Sequence, residues 1–250
     1  MSEPMKVKDT VALVTGANGG IGKHYVEALR IARVTRIYVC ARDPEKVALM
    51  VSMEPERIIP VSLDVTDEQS VAAAATQCQD VTLLINNAGI AKYQGLIAAP
   101  DLSSARAEME VNYFGTLAMC RAFAPILKAN GGGAIINMQS ILSRVNFPSN
   151  GGYSASRAAS LSMTQGVRAE LTAQGTLVVA VMPATVDTNM SKNDPPPKVS
   201  PNEVAVCALQ AVNDGVEDIY PGELATSMAA QLMSDPKAVE KWMATMLPTF

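Results

Sequence analysis

The sequence predicts an α/β fold in which a doubly wound parallel sheet carries helices on both faces. Three observations lead there. Short apolar runs alternate with helical patterns six times along the chain, which is the rhythm of βα units. The runs are apolar at most positions rather than at every second one, as strands buried on both faces require. The first run also stops at a glycine-rich turn that leads straight into a helical pattern, the context in which such a turn has meaning. Together these describe a single-domain, Rossmann-like sheet over residues 1–250.

The first strand is predicted at 11–15, followed by the turn Gly16-Ala17-Asn18-Gly19-Gly20-Ile21-Gly22 and a helix over 23–33. Glycines let the backbone approach a pyrophosphate, and a helix N-terminus offers unpaired N–H groups and a positive dipole end. A second strand at 36–40 ends in Ala41-Arg42, where an NAD site places an acid. An arginine there accepts a 2′-phosphate and points to NADP rather than NAD. Asp43 before Pro44 reads as an N-cap with proline in the first helical turn.

The third strand, 57–63, ends at Asp64, and Thr66 with Gln69 is expected to form a capping box for the helix that runs through the alanines at 72–75. A fourth strand at 81–85 runs into Asn86-Asn87-Ala88-Gly89, side-chain amides and a glycine at a strand's carboxyl end. A long helix is expected at about 104–130 with Asn112 in its middle, where asparagine needs a local role or an exposed face. The fifth strand, 134–139, leads directly to Ser140. Tyr153 is expected to open a helix that lasts to about 172, and the sixth strand, 176–182, stops at Pro183. Thr15, Asn86, Ser140 and Pro183 therefore fall at strand carboxyl ends, where ligands bind such sheets.

Residues 187–201 are polar and proline-rich, too long for a minimal connection, and are read as a small substrate lid. A helix over 202–213, a short strand at 218–220 and a helical region rich in alanine and methionine complete the chain. Its apolar tail, with Trp242, Met243, Met246, Leu247 and Phe250, packs either on a second subunit or in the core of the monomer. Met190 and the lid prolines, with Phe147 and Pro148, predict an apolar substrate pocket.

The chemistry concentrates in 140–157. Tyr153 and Arg157 are four residues apart, one above the other on a helical face, so a phenol lies beside a fixed positive charge. Such a charge favours the phenolate and readies the tyrosine to exchange a proton with a substrate oxygen.

These residues resemble the short-chain dehydrogenase/reductase family along nearly the whole chain. The family's T-G-x-x-x-G-x-G motif is matched from Thr15 to Gly22 in the turn above, its N-N-A-G motif by Asn86, Asn87, Ala88 and Gly89, its helical asparagine by Asn112, and its serine and tyrosine by Ser140 and Tyr153. Two positions depart from it: Arg157 stands where the family has lysine, and Ala184 follows Pro183 where glycine is usual. The resemblance implies catalysis by Ser140, Tyr153, Arg157 and Asn112. It implies cofactor contacts from Gly16, Asn18, Gly20, Ile21, Gly22, Arg42, Asp64, Val65, Asn87, Ala88, Gly89, Tyr153, Arg157, Pro183 and Thr188. The expected activity is NADP-dependent reduction of a carbonyl to an alcohol, or the reverse, by a homodimer or homotetramer. Arginine supplies charge and donors but does not readily release a proton. Two other readings follow from the departures. One is a nucleotide-binding protein with weak or no turnover. The other resembles the haloalcohol dehalogenases, which form epoxides with a Ser-Tyr-Arg set and no nicotinamide.

Composition narrows the field. A net charge of −4 gives no basic footprint for nucleic acid, and no apolar run approaches the length of a membrane span, so a cytoplasmic protein is expected. With one histidine, His24, and isolated Cys40, Cys78, Cys120 and Cys207, neither a metal site nor a disulfide is expected.

Overall fold

The structure, a computed structural model, describes residues 5–248. Phe250, expected in the apolar tail, lies outside them. Seven strands form one parallel sheet in the order β3-β2-β1-β4-β5-β6-β7. They are β1 Val11–Thr15, β2 Arg36–Ala41, β3 Ile58–Ser62, β4 Leu83–Asn86, β5 Ala134–Met138, β6 Leu177–Val181 and β7 Asp218–Ile219. The strand order reverses between β1 and β4, and ligand sites in such sheets lie beyond the carboxyl ends at that point.

The sheet is apolar on both faces. Ala12 and Val14 of β1 face one side and join Ile37, Val39, Ile85 and Ile136. Leu13 faces the other and joins Tyr38, Leu84 and Ile135. Over the first face lie α1 (Gly20–Ile31) and α7 (Pro201–Asp214), which bring in Tyr25, Leu29, Ala205 and Leu209. Over the second lie α3 (Glu68–Gln77) and α5 (Thr116–Ala129), with Val71, Phe123 and Leu127. A third apolar cluster sits apart from the sheet and joins Ile141 and Val145 to α8 (Glu223–Ser234) and α9 (Pro236–Met243). Cys40, Cys78 and Cys120 are buried and unpaired.

Several local expectations change. Helix α1 begins at Gly20 rather than at 23, so the last two glycines of the turn belong to the helix. The predicted Thr66–Gln69 capping box is absent. Asp67 caps α3 by accepting from the Gln69 N–H, because the Thr66 hydroxyl is taken up by Asp64 Oδ1 at 2.7 Å. Asp43 does cap, accepting from the Glu45 N–H ahead of a short 3₁₀ turn with Pro44 at its start. The long helix expected at 104–130 is present as α4 (Ser103–Met109), a π turn over Glu110–Gly115 and α5, helical throughout. Helix α6 opens at Gly151, two residues before Tyr153, and runs to Leu171.

No helix among the described residues is long and apolar enough to cross a membrane. A short helix, α2 (Ala48–Met53), connects β2 to β3.

Candidate active site

A cavity of 760 Å³ opens over the carboxyl ends of the strands. One end is the glycine turn. Gly16 has φ of +63°, a left-handed conformation that favours glycine. A Cβ on Gly22 would lie 2.2 Å from the Gly16 carbonyl oxygen, so α1 can approach the turn this closely only as glycine. Gly19 heads α1 without a side-chain cap, which leaves the first helical N–H groups directed at the cavity. The Asn87 side-chain amide donates to the Thr15 and Gly16 carbonyls at 3.0 and 3.2 Å, and Thr15 Oγ1 accepts from the Asn87 and Ala88 N–H groups at 2.9 Å. These bonds bind the loop after β4 to the turn after β1.

Arg42 and Asp64 face the same end from β2 and β3. Arg42 is exposed and forms no ion pair among the described residues. The Thr66 N–H and hydroxyl both donate to Asp64 and hold its carboxyl below the usual carboxylate range, with a smaller contribution from the Arg42 charge.

At the other end stand Ser140, Tyr153 and Arg157. Ser140 stands two residues beyond the end of β5 and is buried. Its Oγ accepts from the Leu142 N–H at 3.2 Å and lies 3.5 Å from the Pro183 carbonyl. Tyr153, half-buried, presents its ring to the Arg157 guanidinium, whose Cζ is 5.1 Å from the ring centroid. This is the shared helical face expected from the i, i+4 spacing. Arg157 is buried, and its Nη1 donates to the Met138 carbonyl at 2.7 Å. A Cβ on Gly89 would stand 2.4 Å from Nη2, so the glycine of the N-N-A-G run makes room for the guanidinium. Arg157 Nε has no acceptor among the described residues.

Asn112 has the local role that an asparagine inside a helix calls for. It is fully buried at the π turn and does not line the cavity. Its Oδ1 accepts from the Ile90 N–H, and its Nδ2 donates to the Ile90 carbonyl and to Ser156 Oγ, all at 2.9 Å. It ties the loop after β4 to α6 below Tyr153. Gly22 is also absent from the lining, and its role is packing. The other expected contacts, Asn18, Gly20, Ile21, Val65, Asn87, Ala88, Pro183 and Thr188, all line the cavity. A buried polar ladder fixes α6 to the sheet: Asn86 donates to Asn137, Asn137 to Thr164, and Gln139 to Ser160 and Thr164.

Residues of the segment 187–201 border the cavity. Val186 and Val199 form an isolated parallel bridge, and Met190 and Pro195 to Pro197 face the cavity. The sequence reading missed Tyr93, Leu142, Leu224 and Met228, which also line it, and did not place Trp242, Met243 and Met246 there. Of these, Leu224, Met228, Trp242 and Met243 belong to the C-terminal helices α8 and α9, whose amphipathic pattern signals packing without saying against what.

The residues present fit a pyridine dinucleotide. A side-chain-free turn and open helix N–H groups suit a pyrophosphate, an unpaired arginine beyond β2 suits a phosphate on the adenosine ribose, and the guanidinium beside Gly89 supplies further donors at the tyrosine end.

The sequence pattern described as short chain dehydrogenase matches residues 10–198. The chain is 44% identical to a short chain dehydrogenase from Burkholderia cenocepacia J2315 whose crystal structure is in complex with NADP. That match covers 98% of this chain and 100% of the other, with a TM-score of 0.90. Short chain dehydrogenase mpl6 of Monascus purpureus is 35% identical over 194 residues, which cover 73% of this chain and 66% of that relative. The chain thus spans just under two thirds of that protein's length. Dehydrogenase/reductase SDR family member 7B of Xenopus tropicalis is 28% identical over 253 residues, with 90% of this chain and 81% of that protein covered. On the family match and on this geometry, the chain belongs to the short chain dehydrogenase family of oxidoreductases.

Proposed function

We propose that the protein is an NADP-dependent oxidoreductase that interconverts a small-molecule carbonyl and its alcohol. The observation that carries this reading is one cavity with the glycine turn and Arg42 at one end and Ser140, Tyr153 and Arg157 at the other. When bound, the nicotinamide supplies or accepts the hydride. The protein's residues do the rest. Arg42 takes the 2′-phosphate, the N–H groups at the head of α1 take the pyrophosphate, and Asp64 with Val65 borders the adenosine. Asn18, Ile21, Asn87, Ala88, Pro183 and Thr188 complete the binding wall, and Arg157 reaches the nicotinamide ribose.

In the reducing direction Ser140 Oγ donates a hydrogen bond to the carbonyl oxygen, and the Tyr153 hydroxyl delivers the proton as that oxygen becomes an alkoxide. Arg157 keeps a positive charge against the ring that turns negative as the proton leaves. It exchanges no proton itself, because a guanidinium holds its proton throughout. The phenolate is therefore reprotonated from solvent or through ribose hydroxyls. Asn112 acts through position, holding the Ile90 backbone against α6 so that Tyr153 and the loop after β4 keep their spacing. Residues 187–201 close over the substrate as a lid, with Lys198 Nζ donating to the Ser191 carbonyl at 2.7 Å to brace the fold of the segment.

Titration calorimetry with NADPH, followed by NADPH oxidation in the presence of a ketone panel, tests the proposal. Binding with carbonyl-dependent oxidation is expected. Absence of NADPH binding would falsify the assignment, and halide release from a chlorinated vicinal alcohol without nucleotide would replace it by epoxide chemistry. The open space around Gly19, where a Cβ would touch nothing within 4 Å, favours a pyrophosphate over a filled halide pocket.

A further inference from the structure

The third apolar cluster has no part in holding the sheet together, yet several of its members face the cavity. Leu142 and Phe147, which follow Ser140 in the chain, and Met228, Met243 and Met246 of the C-terminal region belong to this one cluster and line the cavity together. Ala184, directly after the Pro183 carbonyl that Ser140 approaches, belongs to the same cluster. The apolar wall therefore begins next to the serine assigned to the substrate oxygen.

This wall is anchored to the body of the protein. Ser149 Oγ donates to the Met246 carbonyl at 2.9 Å. The ring of Pro248 lies over Gly95, where a Cβ would fall 2.6 Å from Pro248 Cγ. The loop after β4 thus receives the C-terminal segment by close contact. Across the cavity the Tyr93 hydroxyl donates to Asp194 Oδ2 at 3.0 Å, so these two polar lining groups satisfy each other.

We propose that the substrate is a lipophilic ketone or secondary alcohol with one large apolar arm, and that this arm lies along the wall that Leu142 and Phe147 form with the methionines of the C-terminal segment. The proposal rests on the reading of Ser140 and Tyr153 as the pair that holds the reacting oxygen. An apolar arm is drawn from water by this wall, whereas the hydroxyls of a sugar or sugar acid would be stripped of water against thioethers and aliphatic carbons that cannot replace it. Methionine side chains are unbranched and adaptable, so linear alkyl and aryl arms are both accepted.

The test is steady-state kcat/KM at saturating NADPH for methyl ketones from butanone to decanone, for acetophenone, and for ketogluconate as the hydroxylated control. A rise of roughly three- to fourfold per added methylene until the wall is covered is expected, with acetophenone above butanone and ketogluconate lowest. Met246→Asn and Trp242→Gln should flatten the dependence on arm length and leave the NADPH dissociation constant unchanged, a control that also reports folding. A flat or falling series, or faster turnover of ketogluconate, with NADPH still bound and oxidised, would overturn this inference alone. If NADPH fails to bind, or no carbonyl oxidises it, the underlying assignment falls and this inference with it.

Discussion

Arg157 carries the main chemical individuality of the site. A lysine ammonium would supply charge, but it has no fork with which to donate to the Met138 carbonyl while filling the space beside Gly89. Arg157→Lys is therefore expected to lower kcat by roughly tenfold or more, the scale of one lost charge-assisted hydrogen bond. A rise in kcat would mean that the arginine is an impediment and that the wild-type protein binds nucleotide without serving as an efficient enzyme. Tyr153→Phe removes the proton donor and keeps the ring stacked on the guanidinium. A loss of about 10²- to 10⁴-fold in kcat is expected, with calorimetry showing NADPH affinity unchanged. Arg42→Asp replaces a phosphate acceptor by a repelling charge, so the ratio of kcat/KM for NADPH over NADH should fall by about tenfold or more. Both Tyr153 and Arg42 were legible in the sequence because each depends on a short spacing or on the end of one strand. The link between Arg157 and Gly89 joins residues far apart in the chain, and no local pattern announces it.

The segment from α4 through the π turn to α5 shows what local pattern reading misses. Its apolar periodicity suits one long helix, which it is, but the π turn around Asn112 leaves no mark in that periodicity, and the Asn112 amide pairs with the Ile90 backbone. Asn112→Ala strips three partners inside a buried site and is expected to cost about 2–4 kcal/mol, read by denaturant titration, together with reduced kcat. Glu108, on the same segment, is buried and accepts from the Lys92 N–H at 2.7 Å. Burial pushes its carboxyl above the ordinary range, against the smaller opposing effects of that hydrogen bond and of the Lys92 and Arg157 charges. Since the folded value is raised, the stability tied to the neutral carboxyl is complete below the unfolded value and is lost as pH rises through the folded one. Glu108→Gln keeps an acceptor for Lys92 and does not ionise. Its melting temperature should exceed the wild type's near neutrality, with the gap closing at about pH 4; a gap independent of pH would refute the account. The capping expectation at Thr66 failed for a related reason, because a neighbouring carboxylate competed for the hydroxyl and Asp67 was equally able to cap.

For the whole molecule, the strand and helix order was readable because a sheet buried on both faces writes continuous apolar runs, and because its ligand end is marked by Thr15, Asn86, Ser140 and Pro183. Strand ends moved by one or two residues, which changes no register. A site assembled from the ends of β1 through β6 ties many elements to one ligand, so cofactor should stabilise the entire sheet. With NADPH at about a hundred times its dissociation constant, roughly 2.7 kcal/mol is expected, which for a chain of this size is a rise of about 5–10 °C in Tm. Calorimetric scans with NADPH and with NADH at equal concentration check this, and NADPH should give the larger shift. The seat of Pro248 on Gly95 sets the C-terminal segment against the loop after β4. The nucleotide half of the cavity is written mostly before position 190, and the far wall of the other half after position 223. The two stretches meet through the third apolar cluster and the Ser149–Met246 hydrogen bond. Substitutions within α8 and α9 reshape that far wall and leave the residues assigned to the coenzyme unchanged.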